Sequence, residues 1–469
     1  MDARTNLPVF FPRPDPTASY WQNHPDPYLG NVTDDQDRDQ HVIKTLLIGS
    51  GITGASVAWN ILQQPPSQRG RVVMLEARPV CSGATGRNGG HTKGASYRSF
   101  PSNYRTLGKI EAIKIARLEY ANIRATHQFA AEHKIDCESR SCDTVDAIYD
   151  PVQWEECASA VKLMKDCFTE PGDAEGIYRY HLWTPEEAKE KFHIQGTGPD
   201  GEPLVGAVSY EAGSIHAYRF VTGVLNLCVQ EGLELRTNTP ATKTIRTSDG
   251  KWSVETPQQT FIANRVVLAT NGYTAALCPE MQGVIVPLRG QVTAHRSGTN
   301  MPKTGLVNTF SFVYKNGFDY MIPRPAGTEF EGDIIIGGGL FRTPDNGLEE
   351  HGNTDDTSLN SAISSYLHES TPTYFGNSWG EDQPEGRIRQ EWTGIMGYTL
   401  DGFPHVGHIR DNLWIGAGFQ GHGMVLCWLS GKALVEKLDG IEGDVDSWFP
   451  KAFWTSEERR TAKGTLDIH

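Results

Sequence analysis

One stretch near the start of this chain leaves little freedom in how it folds. The apolar run Ile43-Lys44-Thr45-Leu46-Leu47-Ile48 breaks into Gly49-Ser50-Gly51-Ile52-Thr53-Gly54. A strand that meets glycines at this spacing turns sharply into a helix. Gly49 permits the turn, Gly51 lets a pyrophosphate approach the backbone, and Gly54 lets the helix pack closely on the sheet. The free N–H groups and positive dipole end of that helix then face the phosphates. The helix reads from Ala55 to Gln64 and stops at Pro65-Pro66. A second strand, Arg71 to Leu75, ends at Glu76. The fingerprint puts such an acid on a ribose hydroxyl, which argues against a 2′-phosphate and hence against NADP. Ser50, Ile52 and Thr53 between the glycines, and Ala77 and Arg78 after the acid, join them as candidate cofactor contacts. A glycine-rich turn without a ligand is the competing reading of the glycines alone; strand, glycines, helix, strand and acid in register argue against it.

Shortly after Glu76 comes Cys81-Ser82-Gly83-Ala84-Thr85-Gly86-Arg87-Asn88-Gly89-Gly90-His91. A plain NAD domain needs no such loop. A longer ligand lying across the sheet does, because its pyrophosphate and ribityl chain need backbone donors and a cation, for which Arg87 is the candidate. A solvated surface loop is the alternative. Near the other end, Leu413-Trp414-Ile415-Gly416-Ala417-Gly418-Phe419-Gln420-Gly421-His422-Gly423-Met424 repeats the design of an apolar strand, glycines and a helix. Together the three segments point to FAD, and a bound flavin implies redox chemistry.

The whole chain narrows the setting. Its 469 residues carry a net charge of −14 with no clustering of basic residues, which disfavours nucleic acid or an anionic membrane as a partner. No apolar run approaches the ~20 residues of a spanning helix, and the first residues lack the apolar core of a signal peptide. The last three, Asp467-Ile468-His469, are not the usual peroxisomal tripeptide. None of the 8 cysteines forms a Cys-x-x-Cys pair, so no metal site is expected and reduced thiols in a cytoplasmic protein fit best. Oligomeric state is not readable. Residues 1–40, rich in proline and aspartate, read as an arm over the surface that Ser19-Tyr20-Trp21 docks, with a loose tail as the alternative for the first fifteen or so. Helices are expected over Lys109 to His133, 151–168, 184–192, Ser214 to Glu231 and Ser358 to Glu369.

The fingerprint followed by Gly83-Ala84-Thr85-Gly86-Arg87-Asn88-Gly89-Gly90 resembles the D-amino-acid-oxidase-like family of FAD-dependent oxidoreductases, nearest to the branch of gamma-glutamylputrescine oxidase and its fungal relatives. The resemblance continues at Val266 to Tyr273, Pro287 to Gln291, Asp319 to Arg324, Trp392-Thr393-Gly394, Thr399 to Pro404 and Gly418 to Gly423, covering roughly residues 19 to 440. It implies an α/β plus α+β chain: a discontinuous Rossmann-like FAD domain over 41–105, 205–278 and 388–440, a mixed-sheet substrate domain over 106–204 and 279–387 that roofs the flavin, and a tail over 441–469. It also adds Ala241, Ala269, Thr270, Asn271, Gly272, Gly418, Phe419, Gln420, Gly421, His422, Gly423 and Met424 to the cofactor contacts. The implied activity is oxidation of an amine or amino acid by hydride transfer to flavin, imine hydrolysis and reduction of dioxygen to hydrogen peroxide. A dehydrogenase passing electrons to a quinone or protein acceptor, and a protein with a structural flavin, are the rivals.

For the chemistry itself, a flavin that oxidises a C–N bond asks the protein for orientation, a dry site and positive potential. His422 reads either as a wall of the flavin site or as a packing residue, and His91 could face the flavin without any spacing that demands an acid or base. Arg289, Arg324 and Arg342 are candidates for a substrate carboxylate, Arg324 first, with ion pairing as the alternative. Tyr320 and Trp392 could line an aromatic cage around an amine, or be core. Two departures from relatives stand out. Where monomeric sarcosine oxidase has an oxygen-activating lysine, the register puts Ile335 to Gly338; where others anchor FAD covalently, this chain has Gly394, Ile395 and Arg87. Non-covalent FAD is therefore expected.

Overall fold

Strand Ile43–Ile48 is buried almost throughout because neighbours cover both of its faces. In the structure, a computed structural model that describes residues 2–29, 42–173, 176–177, 179–438, 440 and 445–462, it lies between Thr260–Leu268 and Val72–Leu75, parallel to both. The sheet runs in the order His405–Arg410, Leu413–Ala417, Thr260–Leu268, Ile43–Ile48, Val72–Leu75, Glu234–Arg236, with Trp252–Glu255 paired off Thr260–Leu268 and Lys243–Arg246 beyond it. Helices Ile52–Leu62 and Gly423–Leu438, each entered from a glycine cluster, pack against each other on one face, and Ala217–Gln230 packs beside the first. The FAD-type Rossmann-like sheet and a second, mixed sheet are the expected fold class.

The second sheet runs Ile388–Thr399, Ile285–His295, Ile334–Gly337, Gly317–Pro323, Thr309–Tyr314, Arg140–Ile148, Gly206–Ser214, His91–Thr92. Three of these strands fall in stretches expected in the cofactor domain. Gly206–Ser214 pairs along its whole length with Arg140–Ile148, Ile388–Thr399 pairs with Ile285–His295, and His91–Thr92 pairs with the end of Gly206–Ser214. The chain therefore enters the second sheet directly from the cofactor loop, and the expected boundaries at 105, 205 and 388 shift accordingly. Helices Lys109–Glu132, Pro151–Cys167 and Pro185–Phe192 form where the periodicity places them. The helix expected from Ser214 begins at Ala217, because Ser214 still belongs to a strand. The one expected over Ser358 to Glu369 spans Ser361–Phe375, capped by Asn360. Helix Ser96–Leu107, unexpected from the sequence, carries Pro101 inside it.

The N-terminal arm docks on the cofactor loop. Ser19 Oγ donates to the Gly86 carbonyl at 2.7 Å and Gln22 Nε2 to the same carbonyl at 3.0 Å. Trp21 Nε1 donates to the Asn88 carbonyl. Tyr20 and Trp21 are buried. Residues 30–41 of the arm and 463–469 of the tail, the terminal tripeptide among them, lie outside the described residues. Among the described residues no helix is long and apolar enough to cross a membrane.

Candidate functional site

The carboxyl ends of the parallel strands, where open α/β sheets bind ligands, meet in one cleft of 2460 Å³. Ordinary small-molecule pockets reach about 1,000 Å³, so this one has room for a dinucleotide and a substrate together. Its walls include Gly49, Ser50, Gly51, Ile52 and Thr53, then Glu76, Ala77 and Arg78, then Gly83, Ala84, Thr85, Arg87, Asn88 and Gly89. Ala241, Ala269, Thr270 and Asn271 border it, as do Phe419, Gln420, Gly421, His422, Gly423 and Met424. Gly54, Ser82, Gly90, Gly272 and Gly418, expected as contacts, stand behind this lining. A Cβ on Gly54 would fall 2.0 Å from the Gly49 carbonyl oxygen and one on Gly272 2.3 Å from the Met396 carbonyl oxygen, so these glycines serve backbone packing. Gly418 N–H donates to Asn271 Oδ1 at 3.1 Å, and the Ser82 carbonyl accepts from Arg78 at 2.8 Å.

Gly51 is different. Its φ is an ordinary −71°, and helix Ile52–Leu62 starts there, its first N–H, of Ile52, donating to Thr85 Oγ1 at 3.1 Å. A Cβ at Gly51 would meet only the Thr85 side chain, with Oγ1 at 3.1 Å. The protein's own packing hardly demands glycine here; a ligand pressed against the backbone does. Glu76 completes the fit. Its Oε2 accepts from Ser50 N–H at 3.1 Å and Ser50 Oγ at 2.6 Å, and its Oε1 from Arg78 N–H at 3.1 Å, which aims the carboxylate along the cleft. A helix N-terminus, a backbone cradle and an oriented acid suit an FAD dinucleotide.

Arg87 corrects an expectation. Its side chain is buried, with Nε donating to the Thr393 carbonyl at 2.6 Å and Nη2 to Thr17 Oγ1 at 2.7 Å. Burial pushes its pKa down to about 10, with Asp356 opposing. Its fork ties three segments together and is not offered to a phosphate. Arg78 is likewise committed, to Asp356 at 2.8 Å.

At the far end of the cleft stands a cluster the sequence reading missed. Lys93 Nζ lies 2.5 Å from Asp146 Oδ1 and also donates to Ser311 Oγ. Asp146 is fully buried, and its Oδ2 accepts from the Tyr97 hydroxyl at 2.6 Å and the Tyr210 hydroxyl at 3.1 Å. Burial lowers the ammonium pKa of Lys93, and Asp146 opposes that. Lys93 was hidden because it follows His91 in a run of small residues that reads as loop; a lone lysine before Gly94-Ala95 is the only signal. His91, Tyr320 and His422 also border the cleft. His91 Nε2 is 2.7 Å from Thr309 Oγ1. His422 Nδ1 donates to the Gln420 carbonyl at 2.8 Å, which leaves Nε2 with the lone pair when the ring is neutral. Burial lowers both histidine pKa values, well below the usual range for His91, and the charge of Lys93 adds to the effect at both. Tyr320 is held between Gly89 and Gly337, where a Cβ would fall 2.2 and 2.4 Å from its ring and hydroxyl. Burial raises its pKa and pushes that of Tyr398, also on the cleft wall, up to about 12.

Of the other expected substrate residues, Arg289 borders the cleft and Arg324, Trp392 and Arg342 do not. Arg324 does not border the cleft. It is 3% exposed, donates to Glu138 at 2.7 Å, and lies over the rings of Tyr20 and Trp21 at 5.4 and 5.1 Å. Its charge serves the docking of the arm. Trp392 is buried behind the loop, donates from Nε1 to the Arg87 carbonyl at 2.7 Å, and stacks on Tyr20 at 6.0 Å between centroids, so it forms no cage. Arg289 spends its fork on Glu350, at 2.6 and 3.0 Å, and Arg342 on Asp200.

With that geometry in view, the chain belongs to the FAD dependent oxidoreductase (DAO) family, whose model matches residues 44–437. The probable oxidoreductase OrdL of Haemophilus influenzae is 21% identical over 406 residues, covering 84% of this chain and 82% of its own. The gamma-glutamylputrescine oxidoreductase of Escherichia coli is 22% identical over 398 residues, covering 84% and 83%. The crystal structure of glycine oxidase from Geobacillus kaustophilus matches with a TM-score of 0.66 at 18% identity, covering 88% of this chain and 99% of that one. The protein is an FAD-dependent oxidoreductase.

Proposed function

We propose that this protein is a cytoplasmic oxidase that breaks a C–H bond beside the nitrogen of an amine or amino acid and delivers the electrons to dioxygen. The observation that carries the reading is the charge balance at the Lys93 end of the cleft. The buried carboxylate beside Lys93, Asp146, is already met by an ammonium and two tyrosine hydroxyls, and burial lowers the pKa of His91 and His422. That committed carboxylate offers a substrate ammonium no open charge, and Lys93 opposes one. An amine entering here is driven to its neutral form, which can release hydride from the adjacent carbon. Relatives named as gamma-glutamylputrescine oxidoreductase and glycine oxidase support a nitrogen-bearing substrate.

FAD would lie with its pyrophosphate at Gly51 and the N-terminus of Ile52–Leu62, its ribose at Glu76, and its ring toward Gly421, His422 and Tyr320. When bound it accepts the hydride and passes two electrons to dioxygen, giving hydrogen peroxide. The chain's own part is to exclude water around Tyr320 and Tyr398, to keep the amine neutral through Lys93, and to leave the His422 Nε2 lone pair free to accept a hydrogen bond. The resulting imine hydrolyses to a carbonyl compound and ammonia or an amine. Anaerobic mixing with a library of amines and amino acids should bleach the flavin, and admission of air should release peroxide. Bleaching without peroxide would indicate a dehydrogenase with a quinone or protein acceptor; a flavin that no nitrogen compound bleaches would overturn the reading.

A further inference from the structure

We propose that the N-terminal arm is part of the cofactor site: Phe11, with Pro12, walls the end of the cleft that takes the adenosine half of FAD, and so sets how firmly the dinucleotide is kept. This rests on the cofactor placement above, with the ribose at Glu76, and is independent of the substrate. The glycines serve the pyrophosphate and Glu76 serves the ribose. Neither meets the base, so its hold must come from residues past the acid. There Ala77, Pro240, Ala241 and Leu277 border the cleft, and Phe11 and Pro12 border it from the arm. The segment carrying Pro240 is tied to this end, since Asn238 N–H donates to the Arg78 carbonyl at 3.0 Å and Thr239 N–H to the Glu76 carbonyl at 2.8 Å.

The arm is anchored on both sides of Phe11 and Pro12. Ahead of them, Val9 N–H donates to Gln282 Oε1 at 3.4 Å and the Leu7 carbonyl accepts from Gln282 Nε2 at 2.8 Å. Val9 also packs against the buried cluster that holds Ala241 and Leu277. Behind them, the Arg13 carbonyl accepts from Arg78 Nη1 at 3.2 Å, the Arg13 guanidinium pairs with Asp355 at 3.0 Å, and Thr17 N–H donates to the Asp356 carbonyl at 2.7 Å. Arg78 lies two residues beyond Glu76, so this second anchor stands beside the ribose position. Pro8, Pro12, Pro14 and Pro16 fix φ along the run and hold the residues before them extended. A chain stiffened in this way loses little entropy when it lies down on the protein. In extended backbone alternate side chains share a face. Val9 and Phe11 turn inward, whereas Phe10 between them is 64% exposed and does not border the cleft. Phe11 itself keeps 38% of its surface open. A ring fixed from both sides at the edge of a dinucleotide cleft thus has a face left to bury against a base.

The test uses the full chain purified with its FAD. Release of FAD on dilution is followed by the rise in flavin fluorescence, and Phe11→Ser should release it about tenfold faster than wild type. The same chain, stripped of flavin, is then titrated with FAD, with FMN, which lacks the adenylate, and with ADP, which keeps it. Phe11→Ser should raise the Kd for FAD and ADP by a similar factor and leave that for FMN unchanged. Phe10→Ser, on the outer face, should match wild type throughout. A loss for FMN as large as that for FAD would show Phe11 acting through the fold. Unchanged release and unchanged Kd for FAD and ADP would show an arm that never meets the cofactor. Either result overturns the proposal, as would equal losses in the two phenylalanine variants. Should FMN bind too weakly to titrate, ADP binding by the two variants decides. Should Phe11→Ser fail to fold, Phe11→Leu, which keeps apolar bulk without the ring, should show part of the same ADP loss, and no loss overturns the proposal. The placement itself is judged apart: a Gly51→Val protein that keeps its FAD sinks the placement, whereas loss of FAD there with an indifferent Phe11→Ser sinks only the role of the arm.

Discussion

Trp392 Nε1 donates to the Arg87 carbonyl at 2.7 Å, and Arg87 Nε donates to the carbonyl of the next residue, Thr393, at 2.6 Å. This exchange rivets a strand of the second sheet to the cofactor loop of the first. Trp392→Phe removes one donor and leaves a buried carbonyl without it, a loss of about 1–3 kcal/mol. The expected result is weaker FAD retention and a lower Tm with little change in substrate KM. A variant whose FAD content matches wild type while KM rises would return Trp392 to the substrate wall.

Gly51→Val should fold and lose its cofactor. The new Cβ meets only Thr85 in the protein, and the side chain fills the path of the pyrophosphate. FAD per chain should drop at least tenfold while circular dichroism stays native. Gly54→Val is the contrast: its Cβ falls on the Gly49 carbonyl, and the expectation is insoluble protein. A fully yellow Gly51→Val would refute the cradle.

FAD should come away without covalent residue. Arg87, Gly394 and Ile395 occupy the positions where relatives attach it, and none has a nucleophile suited to the bond. Acid precipitation should leave a colourless pellet beneath a yellow supernatant; a washed pellet that stays yellow would point to His91 or Cys81.

Removing Lys93 should separate stability from turnover. In Lys93→Met the buried Asp146 loses its cation, which costs about 3–5 kcal/mol for a broken buried pair. Lys93→Met with Asp146→Asn should recover much of that in thermal melts, since both charges are gone. The amine-selective flavin reduction should remain impaired in both. Full activity in the double variant would show that the pair is only structural.

Stability should fall on the acid side of neutrality. His295 is buried, bonded to Thr293 and Thr371, and pushed down to about 3 by burial, with Arg387 adding; His127 is pushed down to about 4 by burial, with Glu211 opposing. A histidine whose folded pKa is depressed takes its proton first in the unfolded chain. Its contribution is complete above the unfolded value near 6.5 and is lost as pH falls toward 4 and 3. At pH 5 each should cost about 2 kcal/mol. Thermal melts from pH 8 to 5 check this, and His295→Gln should flatten the slope; a level Tm would contradict it.

What could be read in the sequence was local. Strand, glycines, helix and acid from Ile43 to Glu76 lie within one continuous stretch, and their geometry follows from it. The long helix Lys109–Glu132 announced itself by spacing. The substrate end did not, because its partners are remote in the chain. Arg324 looked free until Glu138 was seen beside it, and Arg289 until Glu350 was. Lys93 became visible only when Asp146 arrived from another strand. The sheet boundaries failed for the same reason: the alternation of Gly206–Ser214 does not reveal which sheet it joins, and only its register with Arg140–Ile148 decides.

The middle strand of the cofactor sheet has a bearing on how the protein is made. Thr260–Leu268 sits between Ile43–Ile48 and Leu413–Ala417, so the fingerprint strand pairs with one that emerges from the ribosome far later than it does. The sheet closes only once the next neighbour, later still, is synthesised. Until then the nascent chain carries an apolar strand with an open edge, the kind of surface that chaperones must shield. Such long-range pairing slows folding. The nucleotide fingerprint is therefore no independent module: its sheet is incomplete until Leu413–Ala417 joins, so cofactor capture waits on a strand far downstream of the glycines.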